Sequence, residues 1–158
     1  MPNQLPVSGV IRASEMAGDT DDETARLRRM EAEARAFLTA FKWCGGIRDF
    51  YFGAGIGDVF AIFLARIEPW GPGVDEYLWV VVGDLPPAYL VVDDCKTPKE
   101  ALRAYIGEMR KWVAVAEYGC DPTNVIPVEC PCNARMGRDS AIPARCTGAR
   151  HHPHVVAQ

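Results

Sequence analysis

The side chains best suited to hold a metal ion occur in two parts of the chain. The first part is residues 129–158, which contain three cysteines and a compact group of histidines: Cys130, Cys132, Cys146, His151, His152 and His154. Thiolates and imidazoles are the usual ligands of zinc. Their spacing matches neither a zinc finger nor a zinc ribbon. These residues are therefore a candidate metal site on the basis of ligand type alone.

The second part is acidic, and its residues follow or precede predicted β-strands: Glu68, Asp75, Glu76, Asp93 and Asp94. In an antiparallel meander the end of one strand lies beside the start of the next, so all five carboxylates share one rim of the sheet. Such an acidic rim can bind a hard cation or support acid–base chemistry. Solvated loop carboxylates are the alternative interpretation. The opposite rim is predicted to bring Asp58 close to Asp84.

Other catalytic motifs are weak. Residues 53–57 (GAGIG) begin like the G-x-G-x-x-G loop that binds dinucleotides, but the third glycine position is occupied by Asp58. A strand is predicted to follow instead of a helix, which favours a hairpin connection or a β-bulge. All three histidines lie within residues 129–158. Cys44 follows an apolar helical stripe and is expected to be buried, while the carboxylates beside Cys95 should raise its pKa. No cofactor is predicted.

The elements that must position these residues are two helices and four strands. Thr20 and Glu23 have the spacing of a capping box, and the apolar stripe of the first helix extends to Phe41 before two glycines, at 45 and 46, end it. The arginines of this helix are assigned to a solvated surface. Strands are predicted near residues 47–53, 58–67, 76–83 and 88–92.

The second helix has the clearest start signals in the chain. Thr97 is the expected cap, Pro98 the first helical residue, and Glu100 completes a capping box. Its buried stripe is predicted to comprise Leu102, Tyr105, Ile106, Met109, Trp112, Val113 and Ala116. The resulting fold class is α+β, a two-layer sandwich in which a four-stranded, mainly antiparallel meander lies between amphipathic helices in the order α-β-β-β-β-α.

Domain organisation and setting follow from composition. We expect a disordered leader over residues 1–18, a single domain over residues 19–128 and an irregular tail over residues 129–158. The net charge of −4 argues against a nucleic-acid surface. Neither a signal peptide nor a membrane-spanning segment is visible, so a cytoplasmic location with reduced cysteines is predicted.

A resemblance to a known family rests on four stretches of the chain, residues 37–44, 51–57, 74–94 and 97–112. Over about residues 30–128 the chain resembles a family of short, uncharacterised bacterial proteins, which implies no activity and no catalytic residue. The resemblance implies a last helix after Ile126, Pro127 and Val128, where this chain departs. Read one base later, residues 133–153 can encode an amphipathic helix with a Thr-Pro-Glu start. We therefore hypothesise a displaced reading frame in this segment.

The predicted function is a non-catalytic accessory or interaction module that binds a protein partner or itself, rather than an enzyme. Trp70, between Pro69 and Gly71, is the tryptophan expected to be exposed and able to anchor a partner. One alternative is a small enzyme or ligand binder that uses a divalent cation at the acidic rim. A second alternative is metal binding by the cysteines and histidines of residues 129–158.

Overall fold

A computed structural model describes residues 4–118 and residues 155–156 of the chain. Its elements, in chain order, are β1 (Ile11–Arg12), a 3₁₀ turn (Ala13–Glu15), α1 (Asp21–Thr39), β2 (Cys44–Ile56), β3 (Phe60–Pro69), β4 (Tyr77–Gly83), β5 (Ala88–Val91), α2 (Pro98–Tyr118) and β6 (Val155–Val156). The strands form one antiparallel sheet in sequence order. The predicted α+β class and the four-stranded meander, here β2 to β5, are confirmed.

The sheet is apolar on both faces, which decides how the helices pack. Ala61 and Phe63 of β3 belong to one buried cluster, whereas Ile62 and Leu64 belong to another, because alternate side chains of a strand point to opposite faces. The first cluster contains the buried residues of α1, and the second contains those of α2. The helices thus cover opposite faces, and the predicted two layers are corrected to three.

The α1 helix begins as its capping signal predicts. The Oγ1 atom of Thr20 accepts a hydrogen bond of 3.1 Å from the backbone N–H of Glu23. The Glu23 carboxylate in turn accepts from the backbone N–H of Asp19, one residue earlier than a standard capping box would place it. The helix ends at Thr39 rather than at the predicted glycines, which instead lie in β2. Phe41 is buried as predicted, but beyond the helix.

The α2 helix has a complete capping box. The N–H of Glu100 donates to Oγ1 of Thr97 at 3.2 Å, and the Glu100 carboxylate accepts from the N–H of Thr97 at 3.1 Å. The predicted buried stripe is only partly correct, because Ile106 is 39% and Val113 45% exposed. The face that meets the sheet is centred on Ala101 and the predicted Tyr105, and the predicted Leu102, Met109 and Trp112 are partly buried against the same cluster. The phenol of Tyr105 fixes this orientation by donating to the carbonyl of Pro86 at 2.8 Å.

Residues 4–18 are folded onto the sheet, in contrast to the predicted disorder of residues 1–18. Ala13 and Met16 are buried in the α1 cluster. The guanidinium group of Arg28 donates hydrogen bonds to the carbonyls of Ala13, Ser14 and Met16, which ties this segment to α1. The sequence does not reveal this because the apolar residues have no period. Residues 129–154 and 157–158 of the predicted tail lie outside the described residues.

Candidate functional site

Aromatic rings meet where α1 ends and β2 begins. The ring centroids of Phe41 and Trp43 are 4.7 Å apart in a stacked arrangement, and Phe37 meets Phe41 edge to face at 5.2 Å. Tyr89 of β5 lies 5.0 Å from Trp43 with an angle of 64° between the ring planes. This cluster continues the core under α1 towards β5.

The cluster borders a pocket of about 110 Å³, which we call the Trp43 pocket. Its lining combines two aromatic rings, aliphatic side chains and one acidic residue: Trp43, Gly73, Val74, Asp75, Leu78, Tyr89 and Val91. Asp75 belongs to the predicted acidic rim, and it is the residue of that set found in this lining. The lining contains neither lysine nor arginine among the described residues. The pocket is therefore apolar and aromatic, with a single negative charge.

Trp70 is linked through its backbone to Trp43, a residue of the pocket lining, and its side chain is held in place although it is 70% exposed. Its backbone N–H donates a 2.8 Å hydrogen bond to the carbonyl of Trp43. Its indole lies over Gly45, where a Cβ atom would approach the ring to 2.7 Å. Gly45 therefore provides the space for the ring. The predicted exposure of Trp70 is confirmed.

The phenol of Tyr89 contributes no charge to the pocket at neutral pH. Burial raises the pKa of Tyr89 to about 12, because the ionised form would lose its hydration. The formal charge of the lining therefore comes from Asp75.

The remaining carboxylates of the predicted acidic rim do not assemble into a metal centre in the described part of the chain. Glu68 forms an ion pair with Arg48 at 3.3 Å, and Glu76 one with Arg66 at 2.6 Å. Within residues 4–118 no three Asp, Glu, Cys or His side chains are grouped so as to hold a metal ion. Asp93 and Asp94 follow β5 and are exposed. The six candidate ligands between Cys130 and His154 lie outside the described residues.

The two cysteines that the structure describes are poor nucleophiles. Cys44 and Cys95 are both buried, as predicted for Cys44. Burial is the main cause of the raised pKa of each thiol. For Cys95 the neighbouring carboxylates of Asp94 and Glu100 raise the pKa further, in agreement with the expected direction.

A second depression, the Asp58 cleft, has a volume of about 560 Å³. It is lined mainly by charged residues: Arg29, Met30, Glu33, Asp58, Gly83 and Asp84. The predicted proximity of Asp58 and Asp84 is thus confirmed. The Asp58 carboxylate lies 3.3 Å from Arg26 and 3.6 Å from Arg29, so its charge is compensated. Ligand pockets are usually lined by apolar and aromatic groups, whereas four of the six residues that line this cleft are charged.

The glycine-rich residues 53–57 serve the hairpin rather than a nucleotide. The pairing of β2 with β3 shifts register between Phe52 and Ala54, which marks a bulge. The chain then turns at Gly57 and Asp58 before β3 begins. This agrees with the predicted bulge or hairpin connection.

No protein-family model, curated protein or solved structure matches the chain. The resemblance to short bacterial proteins and the displaced reading frame therefore stay predictions. Within the described residues no helix is both long enough and apolar enough to cross a membrane. Sequence reasoning found Trp70 and Asp75 separately and singled out neither Trp43 nor Tyr89. No local signal links Tyr89 to Trp43, because Trp43 lies between α1 and β2 whereas Tyr89 lies in β5, and only the folded chain brings the two rings together.

Proposed function

We propose that this protein is a non-catalytic interaction module whose recognition surface consists of the Trp43 pocket and Trp70. The observation that carries the proposal is the exposed indole of Trp70, held over Gly45, in a residue whose backbone is hydrogen-bonded to Trp43 of the apolar pocket. Tryptophan is among the residues that most often dominate binding energy at interfaces. A ring that is already positioned loses less side-chain entropy on binding than a mobile one.

The size of the pocket supports a macromolecular partner. Its volume of about 110 Å³ is well below the roughly 300–1,000 Å³ of pockets that enclose drug-sized ligands. One side chain of a partner fits such a volume, whereas a whole nucleotide cofactor does not. Trp70 would then contact the partner surface around that side chain.

The reactive groups of the described residues favour binding over catalysis. The thiols of Cys44 and Cys95 are buried and have raised pKa values. Glu68 and Glu76 are engaged by arginines. These contacts give no support to the alternative of a cation-dependent enzyme at the acidic rim. The cytoplasmic location expected from the sequence is part of this proposal as well.

The test is a selection of peptides from a random displayed library on the intact protein, followed by affinity measurements with variants. Trp70→Ala should weaken the selected peptides about 30-fold, which corresponds to a hot-spot loss of roughly 2 kcal/mol. Gly45→Ala keeps the indole but displaces it, so it should weaken binding in the same direction. Ile56→Ala is the matched control, because Ile56 is 54% exposed at the distant end of β2.

Unfolding in urea must show that all three variants remain folded. The proposal fails if no peptide is enriched, or if the enriched peptides bind the Trp70→Ala and Gly45→Ala variants as tightly as the original protein. Equal loss with Ile56→Ala would also contradict it, because the effect would then not be specific to this surface.

A further inference from the structure

We propose that the Trp43 pocket accepts the ammonium group of a lysine side chain, unmodified or methylated, from the partner. This inference rests on the proposed function and specifies the chemistry of the bound side chain. It is drawn from the orientation of the rings, the charge of the lining and the size of the pocket.

The ring geometry suits a cation. Trp43 and Tyr89 meet at 64°, so they form two adjoining walls instead of a parallel stack. Phe41 stacks on Trp43 and supports the indole from within the core. The face of an aromatic ring attracts a cation located within about 6 Å of its centroid, and tryptophan is the strongest of these rings.

The charge of the lining also favours a cation. Asp75 supplies a negative charge, and neither lysine nor arginine lines the pocket to neutralise it or to attract an anion. A carboxylate or phosphate group would therefore be repelled. The aliphatic side chains of Val74, Leu78 and Val91 match the methylene groups that precede a lysine ammonium. Arginine has a broader, planar head group that is less suited to a pocket of about 110 Å³.

The test uses three single-residue probes: the N-acetyl amides of lysine, of Nε-trimethyl-lysine and of norleucine, which keeps an aliphatic chain but has no charge. Binding is followed by nuclear magnetic resonance through the indole N–H signals, with that of Trp43 assigned from a Trp43→Phe variant. We expect the two charged probes to shift the Trp43 signal in a saturable manner and norleucine to bind about tenfold more weakly.

Asp75→Asn should weaken the charged probes several-fold and leave norleucine unchanged, because it removes the charge and keeps the shape. Asp84→Asn, in the Asp58 cleft, is the matched control and should change nothing. Equal binding of norleucine and the charged probes, an unchanged affinity in Asp75→Asn, or no shift of the Trp43 signal would each overturn the proposal.

The failure of this inference can be told apart from failure of the proposed function. Peptides that depend on Trp70 and Gly45 but carry no lysine would disprove the lysine assignment and leave the interaction surface intact. The absence of any selected peptide, together with no shift of the Trp43 signal, would disprove both.

Discussion

The Trp43 pocket and the Asp58 cleft lie at opposite ends of β4, on the face of the sheet that α1 covers. Leu78, near the start of β4, lines the pocket, and Gly83, at its end, lines the cleft. The pocket is small and aromatic, and its Trp43 is hydrogen-bonded to the backbone of the exposed Trp70. The cleft is larger, but four of its six lining residues are charged. The larger volume therefore lies at one end of this face, and the apolar, aromatic lining typical of binding pockets lies at the other end.

The difference shows where binding energy is available. Apolar surface contributes roughly 25 cal/mol for each Å² removed from water, so the rings of the pocket gain from being covered. In the cleft Asp58 is already paired with Arg26 and Arg29, and removing these charges from water costs desolvation. This difference supports the proposal that recognition belongs to the smaller depression, and it gives the turn at the larger one a structural role.

The largest expected effect is on the turn at the cleft. Gly83 has a φ of +135°, and a Cβ atom there would lie 2.5 Å from the carbonyl oxygen of Val59. Gly83→Ala should therefore lower the free energy of unfolding by about 4 kcal/mol, the sum of backbone strain and overpacking. Gly71 is the matched control near the pocket, since its φ is +115° but a Cβ atom there would have nothing within 4 Å.

Gly71→Ala should cost only the backbone strain, about 1–2 kcal/mol. Urea unfolding of both variants measures the two costs directly. Losses of the same size would show that the close approach of Val59 to Gly83 is unimportant.

The second prediction concerns alkaline pH at the pocket. The pKa of Tyr89 is raised to about 12, so the folded state retains its phenolic proton above the pH at which an unfolded tyrosine ionises. The stabilising contribution is complete below about pH 10. It is lost as pH rises through 12, because the unfolded state then releases the proton more readily.

Unfolding measured between neutral pH and this alkaline range should show a falling stability, and Tyr89→Phe should reduce its dependence on pH. The pKa of Tyr105, on the opposite face, is also raised to about 12, so this residue should account for part of the remaining dependence. A phenol that ionises near pH 10 in the folded protein and disappears in Tyr89→Phe would contradict the raised pKa that partial burial gives Tyr89.

The smallest effect is expected from the charges of the cleft. Asp58→Asn removes the ion pairs with Arg26 and Arg29, whose side chains are 47% and 72% exposed. Asparagine tolerates the positive φ of 64° at this position, so the backbone should not be strained. The variant should lose less than about 1 kcal/mol of its free energy of unfolding, and this loss should become smaller in 1 M salt. A loss above about 2 kcal/mol that persists in salt would require a role for the cleft beyond surface charge pairing.

Much of the fold could be predicted because its signals are local. The strands carry dense β-branched and aromatic runs, and Thr20 and Thr97 cap their helices as their spacing indicates. The candidate site was only partly predictable. The exposure of Trp70 followed from its glycine- and proline-rich loop, whereas the contact between Trp43 and Tyr89 joins two elements that share no local pattern.

The amino-acid sequence by itself determined the order of the elements, their caps and the meander, since each depends on residues a few positions apart. Tertiary structure decided which face each helix covers, the anchoring of residues 11–16 by Arg28 and the assembly of the Trp43 pocket. Both faces of β3 and β4 are apolar, so the local pattern cannot choose between them. That choice depends on which distant side chains fill each face when the chain packs.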